Sequence, residues 1–165
     1  MELTVPVTTV AKAWLSELLL NRAMFKGPNG KPLYSYQVTE SEYRSLIELL
    51  NSYFRRGLPQ NCSEHLAACF CLFVSEQYRR DYNCIWSWSG PEALLGTSLT
   101  AQQHASLTSS GLAYWKRPIR FRENGRDWLG SLFAEGGLPR PLVQSESHGF
   151  GRAVRRGLKH FYRTE

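Results

Sequence analysis

The sequence lacks the features that mark several large classes of protein. No stretch approaches the roughly 18 uninterrupted apolar residues of a membrane helix, and residues 1–10 lack the basic start and apolar run of a signal peptide. Only four cysteines occur, unevenly spaced, which argues against a disulfide scaffold and favours a reducing compartment. We therefore expect a soluble, cytoplasmic protein without a membrane partner.

Catalytic and cofactor motifs are also missing. The four histidines form no H-E-x-x-H pair, and no G-x-S-x-G, P-loop or dinucleotide fingerprint occurs. Cys69 and Cys71 would lie about 200° apart on a helix, so we expect buried apolar side chains instead of shared metal ligands. We predict no enzyme activity, catalytic residue, metal site or cofactor. A metal-dependent nuclease is an alternative, and it would use carboxylates such as Glu76 and Asp81.

What the sequence does contain is apolar residues at helical spacing along most of its length. With 165 residues and 42% hydrophobic residues, it has enough material for one core, so we predict a single domain over residues 1–165. The fold class predicted is all-α, a helical bundle of six or seven helices with at most one short strand pair. This domain could also be the N-terminal module of a larger protein.

The helix boundaries are predicted from capping-box spacing, in which two side chains satisfy free backbone N–H groups at a helix start. The pairs are Thr39 and Glu42, Asn61 and Glu64, Ser89 and Glu92, and Thr100 and Gln103. A first helix is expected over residues 7–25 and a short extended piece over residues 33–38. Residues 66–74 are all apolar, which predicts a central helix whose second half, with Glu76 and Gln77, emerges into solvent.

The net charge of +6 belongs to the last third of the chain. Residues 1–115 contain nine Lys and Arg and nine Asp and Glu, whereas residues 116–163 contain eleven basic and four acidic residues. Such a one-sided distribution creates a positive field on part of the molecule, which favours polyanionic partners.

A final helix is predicted to start near Ser147, with its cations collected on one side. These cations are Arg152, Arg155, Arg156, Lys159 and Arg163. Like charges at helical spacing repel each other unless a counter-charge is present, and a nucleic-acid phosphate backbone would supply one. Two other interpretations stay open: a solvated basic face, or pairing with acidic residues of a downstream segment.

A second basic group precedes this helix and is interleaved with aromatic residues. Its cations are Lys116, Arg117, Arg120, Arg122 and Arg126. Such a composition is typical of stacking sites for single strands. It also fits a strand and a helix that anchor aromatics in the core while their arginines stay in solvent, which we favour. The strand is expected over residues 118–122. Asn124 and Gly125 allow either a hairpin turn or a helix cap, and Asp127 favours the cap. Arg120, Arg122 and Arg126 remain a predicted second strip for nucleic acid.

Four stretches, in this order, resemble the amino-terminal region of large bacterial proteins encoded in defence islands, commonly beside helicase-like genes. They are LYSYQVTESEYRSLIELL (residues 33–50), CLFVSEQYRRDYNCIWSW (residues 71–88), GLAYWKRPI (residues 111–119) and WLGSLFAEGGLP (residues 128–139). The resemblance implies a helical module with a role in antiphage or mobile-element defence. It supplies no catalytic motif for these positions.

These observations together predict a non-enzymatic nucleic-acid-binding module of a bacterial antiphage defence system. The alternative is an assembly module that docks on a larger protein or on a second copy of itself. In that case the apolar side of the final helix and the aromatic loop before residue 89 would meet the partner. The residues concerned are Phe150, Val154, Leu158, Phe161, Trp86 and Trp88.

Overall fold

The computed structural model describes residues 6–57, 62–81 and 87–137. Within these ranges the chain forms six α-helices, one 3-10 helix and one antiparallel strand pair, which confirms the mainly helical fold class. The elements are α1 (Val7–Asn21), the 3-10 helix (Leu33–Tyr36), α2 (Glu40–Phe54), α3 (Glu64–Arg80), α4 (Ser89–Leu95), α5 (Ala101–Tyr114), β1 (Arg120–Arg122), β2 (Gly125–Asp127) and α6 (Trp128–Gly136). None of these helices combines the length and the apolar character needed to cross a membrane.

Helix α3 is the centre of the bundle, as its apolar run predicts. Every residue from Leu66 to Tyr78 is buried, and α1, α2, α5 and α6 all pack against this helix. Each fully buried Leu or Phe side chain contributes about 1.5–3 kcal/mol through its removal from water. These four helices therefore take their positions from α3.

Helix α5 approaches the backbone of α3 closely because Gly111 has no side chain. An ideal Cβ on Gly111 would lie 2.3 Å from the Ala67 carbonyl oxygen and 2.3 Å from the Cys71 Sγ. At the end of α5 the buried Trp115 donates its Nε1–H to the Ala68 carbonyl at 3.0 Å. The carboxyl end of α5 is thus held firmly against the core.

The prediction that the second half of α3 emerges into solvent was wrong for residues 76–78, which are buried, whereas Arg79 and Arg80 are half-buried and Asp81 is exposed. Glu76 is only 1% exposed, and its carboxylate accepts hydrogen bonds from Arg79 and Arg80, each at 3.1 Å. Arg80 also reaches Glu40 Oε2 at 2.5 Å and the Val38 carbonyl at 2.8 Å. The start of α2 therefore covers this end of α3, and the pairing makes burial of its charges tolerable.

Two of the four predicted capping boxes are confirmed, those at Thr39 and at Thr100, each with both reciprocal hydrogen bonds. The other two predictions were wrong. Helix α3 is capped by Ser63, whose side chain accepts from the Leu66 N–H, and α4 has no side-chain cap because Ser89 already lies within the helix. The spacing alone therefore did not identify Ser63 as the cap of α3, nor that α4 lacks a side-chain cap.

The first helix ends at Asn21, not at residue 25, since Ala23 adopts a positive φ of 55°. Arg22 there donates to both carboxylate oxygens of Glu42, at 2.5 and 2.6 Å, and to the Tyr36 carbonyl at 2.9 Å. These contacts join α1 to α2 and to the residues expected to be extended, which form the 3-10 helix instead.

Candidate nucleic-acid interface

Strands β1 and β2 form a hairpin that projects from the bundle between α5 and α6. They are antiparallel, with Arg120 opposite Asp127, Phe121 opposite Arg126 and Arg122 opposite Gly125. Gly125 follows the turn with a φ of 113°, a conformation that glycine adopts without strain. Of the two alternatives predicted for Asn124 and Gly125, the hairpin turn is confirmed and the favoured helix cap was wrong, because Asp127 caps α6 by accepting from the Gly130 N–H at 2.9 Å.

The chain that enters the hairpin is fixed by Arg117. Its Nε donates to the two carboxylate oxygens of Glu135, at 2.9 and 3.0 Å, and its Nη1 donates to the Gly30 carbonyl at 2.8 Å. Glu135 is 2% exposed and also accepts from the Leu33 N–H at 3.0 Å. Arg117 therefore links three parts of the fold, and its charge is already matched.

The chain that leaves the hairpin is fixed by Ser131 on α6. Its Oγ accepts from the Arg120 N–H at 2.8 Å and donates to the Asp127 carbonyl at 2.6 Å. Both strands of the hairpin are thus tied to the first turn of α6. A surface built on such an anchored element is better positioned for binding than one on a free loop.

The two faces of the hairpin carry different groups, because side chains alternate along a strand and directly opposed residues share a face. Phe121 and Arg126 lie on one face, and Arg120 and Arg122 lie on the other. Phe121 is 69% exposed, so the favoured interpretation of a core-anchoring strand was wrong for this residue. Trp115, which is buried, lies at the end of α5 and not in the strand.

The arginine charges on the hairpin are only partly matched. Arg122 Nε lies 2.6 Å from Asp127 Oδ2. The side chains of Arg120 and Arg126 pair with no carboxylate in the part of the chain that the structure describes, and the Arg126 guanidinium lies 5.7 Å from the Trp128 ring centroid. The three arginines of the predicted second strip therefore share one hairpin but do not form one continuous face.

The predicted first strip lies outside the described residues, so its placement stays a prediction. It consists of Arg152, Arg155, Arg156, Lys159 and Arg163. The apolar residues that the assembly hypothesis assigns to the final helix, and Trp86, lie outside them as well. Trp88 is described: its ring stacks on His104 at 4.0 Å and on Phe70 at 6.2 Å, which removes it from a free docking surface.

A pair of titratable side chains near Trp88 was not found by the sequence reasoning. His104 Nε2 lies 2.5 Å from Glu92 Oε1, and the same carboxylate oxygen accepts from the Leu99 N–H at 3.3 Å. The two residues belong to different helices, α4 and α5, so no local motif signals the pair. Its contacts join these helices and leave the carboxylate engaged.

The remaining candidate groups of the sequence are engaged in the fold. Burial raises the pKa of the Cys69 and Cys71 thiols, which are buried as predicted. Glu76, a carboxylate of the nuclease alternative, is bound by two arginines. In residues 6–57, 62–81 and 87–137, no group of three or more His, Cys, Asp or Glu side chains is arranged to hold a metal ion.

One signal in the sequence could have indicated the exposure of Phe121. The candidate strand has a turn-forming Asn124–Gly125 pair directly after it, and an isolated two-stranded hairpin has no second layer to cover either face. The alternation of arginine and apolar residues then indicates two solvent-exposed faces, instead of one buried face and one exposed face.

Comparison with known proteins relates the chain to one protein family. Residues 5–138 match the model of the YjiT N-terminal domain. Protein YjiT of Escherichia coli (strain K12) is 44% identical over 142 residues, which cover 82% of this chain and 26% of that protein. The chain thus spans about a quarter of the length of this curated relative. No solved structure matches it. The chain belongs to the YjiT N-terminal domain family.

Proposed function

We propose that this domain binds nucleic acid through phosphate contacts and has no catalytic activity of its own. The observation that carries the proposal is the anchored hairpin, which exposes Arg120 and Arg126 without carboxylate partners in the described part of the chain. Phosphates would supply the missing counter-charge, and displacement of their bound cations would favour association at low salt.

The charge balance around the hairpin supports this proposal. Arg117 is neutralised by the buried Glu135, and Arg122 is paired with Asp127. Among the other charged residues from 116 to 127, Lys116, Arg120 and Arg126 are exposed cations, whereas Glu123 is the single exposed carboxylate. The hairpin region therefore keeps a positive surface after its internal pairs are counted.

The basic residues predicted for the final helix extend the proposal. Arg152, Arg155, Arg156, Lys159 and Arg163 would add phosphate contacts to those of the hairpin. The proposed context is a bacterial antiphage defence system, and the four stretches that resemble defence-island proteins support it. Phosphate contacts position a protein on nucleic acid but carry little sequence information, so binding should be independent of sequence.

Fluorescence anisotropy with labelled oligonucleotides tests the proposal at about 50 and 200 mM salt. Affinity should fall steeply with salt, and the slope should decrease by about 1 for each phosphate contact removed. Charge reversal at Arg155 and Arg156 tests the final helix, and charge reversal at Arg120 tests the hairpin. Charge reversal at the exposed Arg55 and Arg56, beyond α2, is the matched control.

The outcomes separate the two basic groups. Weaker binding of the variants than of the control assigns phosphate contacts to the group that was changed. Affinity that is unchanged in all of these variants, or that does not depend on salt, would refute the proposal.

Assembly with a protein partner is a second candidate, favoured by exposed apolar side chains near the end of α1. Leu20 is 61% exposed and Phe25 is 78% exposed. Size-exclusion chromatography with light scattering tests self-association. A dimer that dissociates on Leu20→Lys substitution and that ignores DNA would support assembly, whereas a monomer that binds DNA would favour the leading proposal.

A further inference from the structure

The Phe121 face of the hairpin brings together groups on which a nucleobase can stack. Phe121 and Arg126 are directly opposed, which places their Cβ atoms about 4.5–5.5 Å apart on one face. The Arg126 guanidinium in turn lies over the Trp128 ring, 5.7 Å from its centroid. The face therefore presents a phenyl ring, a planar cation and an indole beside one another.

The position of Phe121 matters more than its exposure, because isolated exposed apolar residues are common on protein surfaces. Here the ring lies at the centre of β1, between two arginines in sequence and opposite a third across the hairpin. The anchors described above hold this hairpin against α6. An aromatic ring in such a setting can receive a base without a costly rearrangement.

We infer that this face binds single-stranded nucleic acid in preference to a duplex, by base stacking on Phe121 and Arg126. The inference rests on the proposed function and specifies its substrate class. The bases of a single strand can leave their own stack and bind aromatic and guanidinium planes, each for about 1–3 kcal/mol per base. In a duplex the base faces are already covered, so the hairpin meets mainly phosphates.

Three fluorescent probes test the inference: oligothymidylate, oligouridylate and a DNA duplex, all at the same ionic strength. The single strands should bind more tightly than the duplex. Phe121→Ala should weaken single-strand binding by about fivefold or more, the equivalent of the lower limit of about 1 kcal/mol for one stacked base. It should leave duplex binding unchanged. Leu94→Ala, which removes an exposed apolar side chain from α4, is the matched control.

Each outcome separates this inference from the proposed function. A loss confined to the single strands and absent from Leu94→Ala supports it. Salt-dependent binding that is equal for single strands and duplex, and unaffected by Phe121→Ala, overturns the inference and leaves the proposed function intact. Absence of binding to all three probes overturns both.

Discussion

Gly111→Ala gives a direct test of how α5 packs on α3. The added Cβ would lie 2.3 Å from the Ala67 carbonyl oxygen, whereas ordinary contacts begin near 3.4 Å. The blocking atom is backbone, so the helices themselves must separate by about 1 Å. Overpacking typically costs about 1–3 kcal/mol, and this contact lies at the upper end. The higher helix propensity of alanine offsets about 1 kcal/mol of this loss in the free energy of unfolding.

The expected net loss is therefore about 2 kcal/mol in the free energy of unfolding. For a chain of this size it corresponds to a decrease of about 4–8 °C in Tm, measured by circular dichroism. Gly90→Ala in α4 is the matched control, since its Cβ would meet only the Gln77 side chain at 3.7 Å. A Gly111→Ala variant as stable as the Gly90→Ala variant would refute the close approach of the two helices.

Two ion pairs can also be tested by substitution. Glu135→Ala should lower the free energy of unfolding by about 3–5 kcal/mol in urea denaturation, because it leaves Arg117 unpaired. Arg117→Ala added to this variant should cost little more, and an additive loss would contradict the coupling. The hydrogen bonds from Arg22 hold the pKa of Glu42 below its ordinary 4.5. This carboxylate therefore stabilises the fold above pH 4.5 and loses that contribution as pH falls through its folded pKa. Glu42→Gln should flatten the acid decline of the urea midpoint, and an unchanged decline would count against the pairing.

Features encoded within one turn of a helix could be predicted from the sequence. The capping boxes at Thr39 and Thr100 need only residues three positions apart, and the all-apolar run in α3 specifies a helix surrounded by others. Interactions between distant segments could not be predicted in this way. From the sequence alone Glu76 resembles a solvent-facing residue, but in the fold Arg80 and the start of α2 cover its carboxylate.

The same contrast between local features and long-range contacts applies to the candidate site. The excess of arginine near the hairpin is visible in the sequence, but its pairing is not. Arg117 and Arg122 look equivalent to Arg120 in a charge count, yet the fold neutralises the first with Glu135 and the second with Asp127. Which cations stay available depends on carboxylates that lie 5 and 18 positions away in sequence.

Different residues anchor the hairpin and project from its surface, and this separation affects how the surface can change during evolution. Arg117, Asp127 and Ser131 hold the hairpin in place, whereas Phe121 and Arg126 project from it. Substitutions at exposed positions away from such anchors usually alter stability by less than about 0.5 kcal/mol. The projecting positions can therefore be substituted while the three anchors keep the same scaffold.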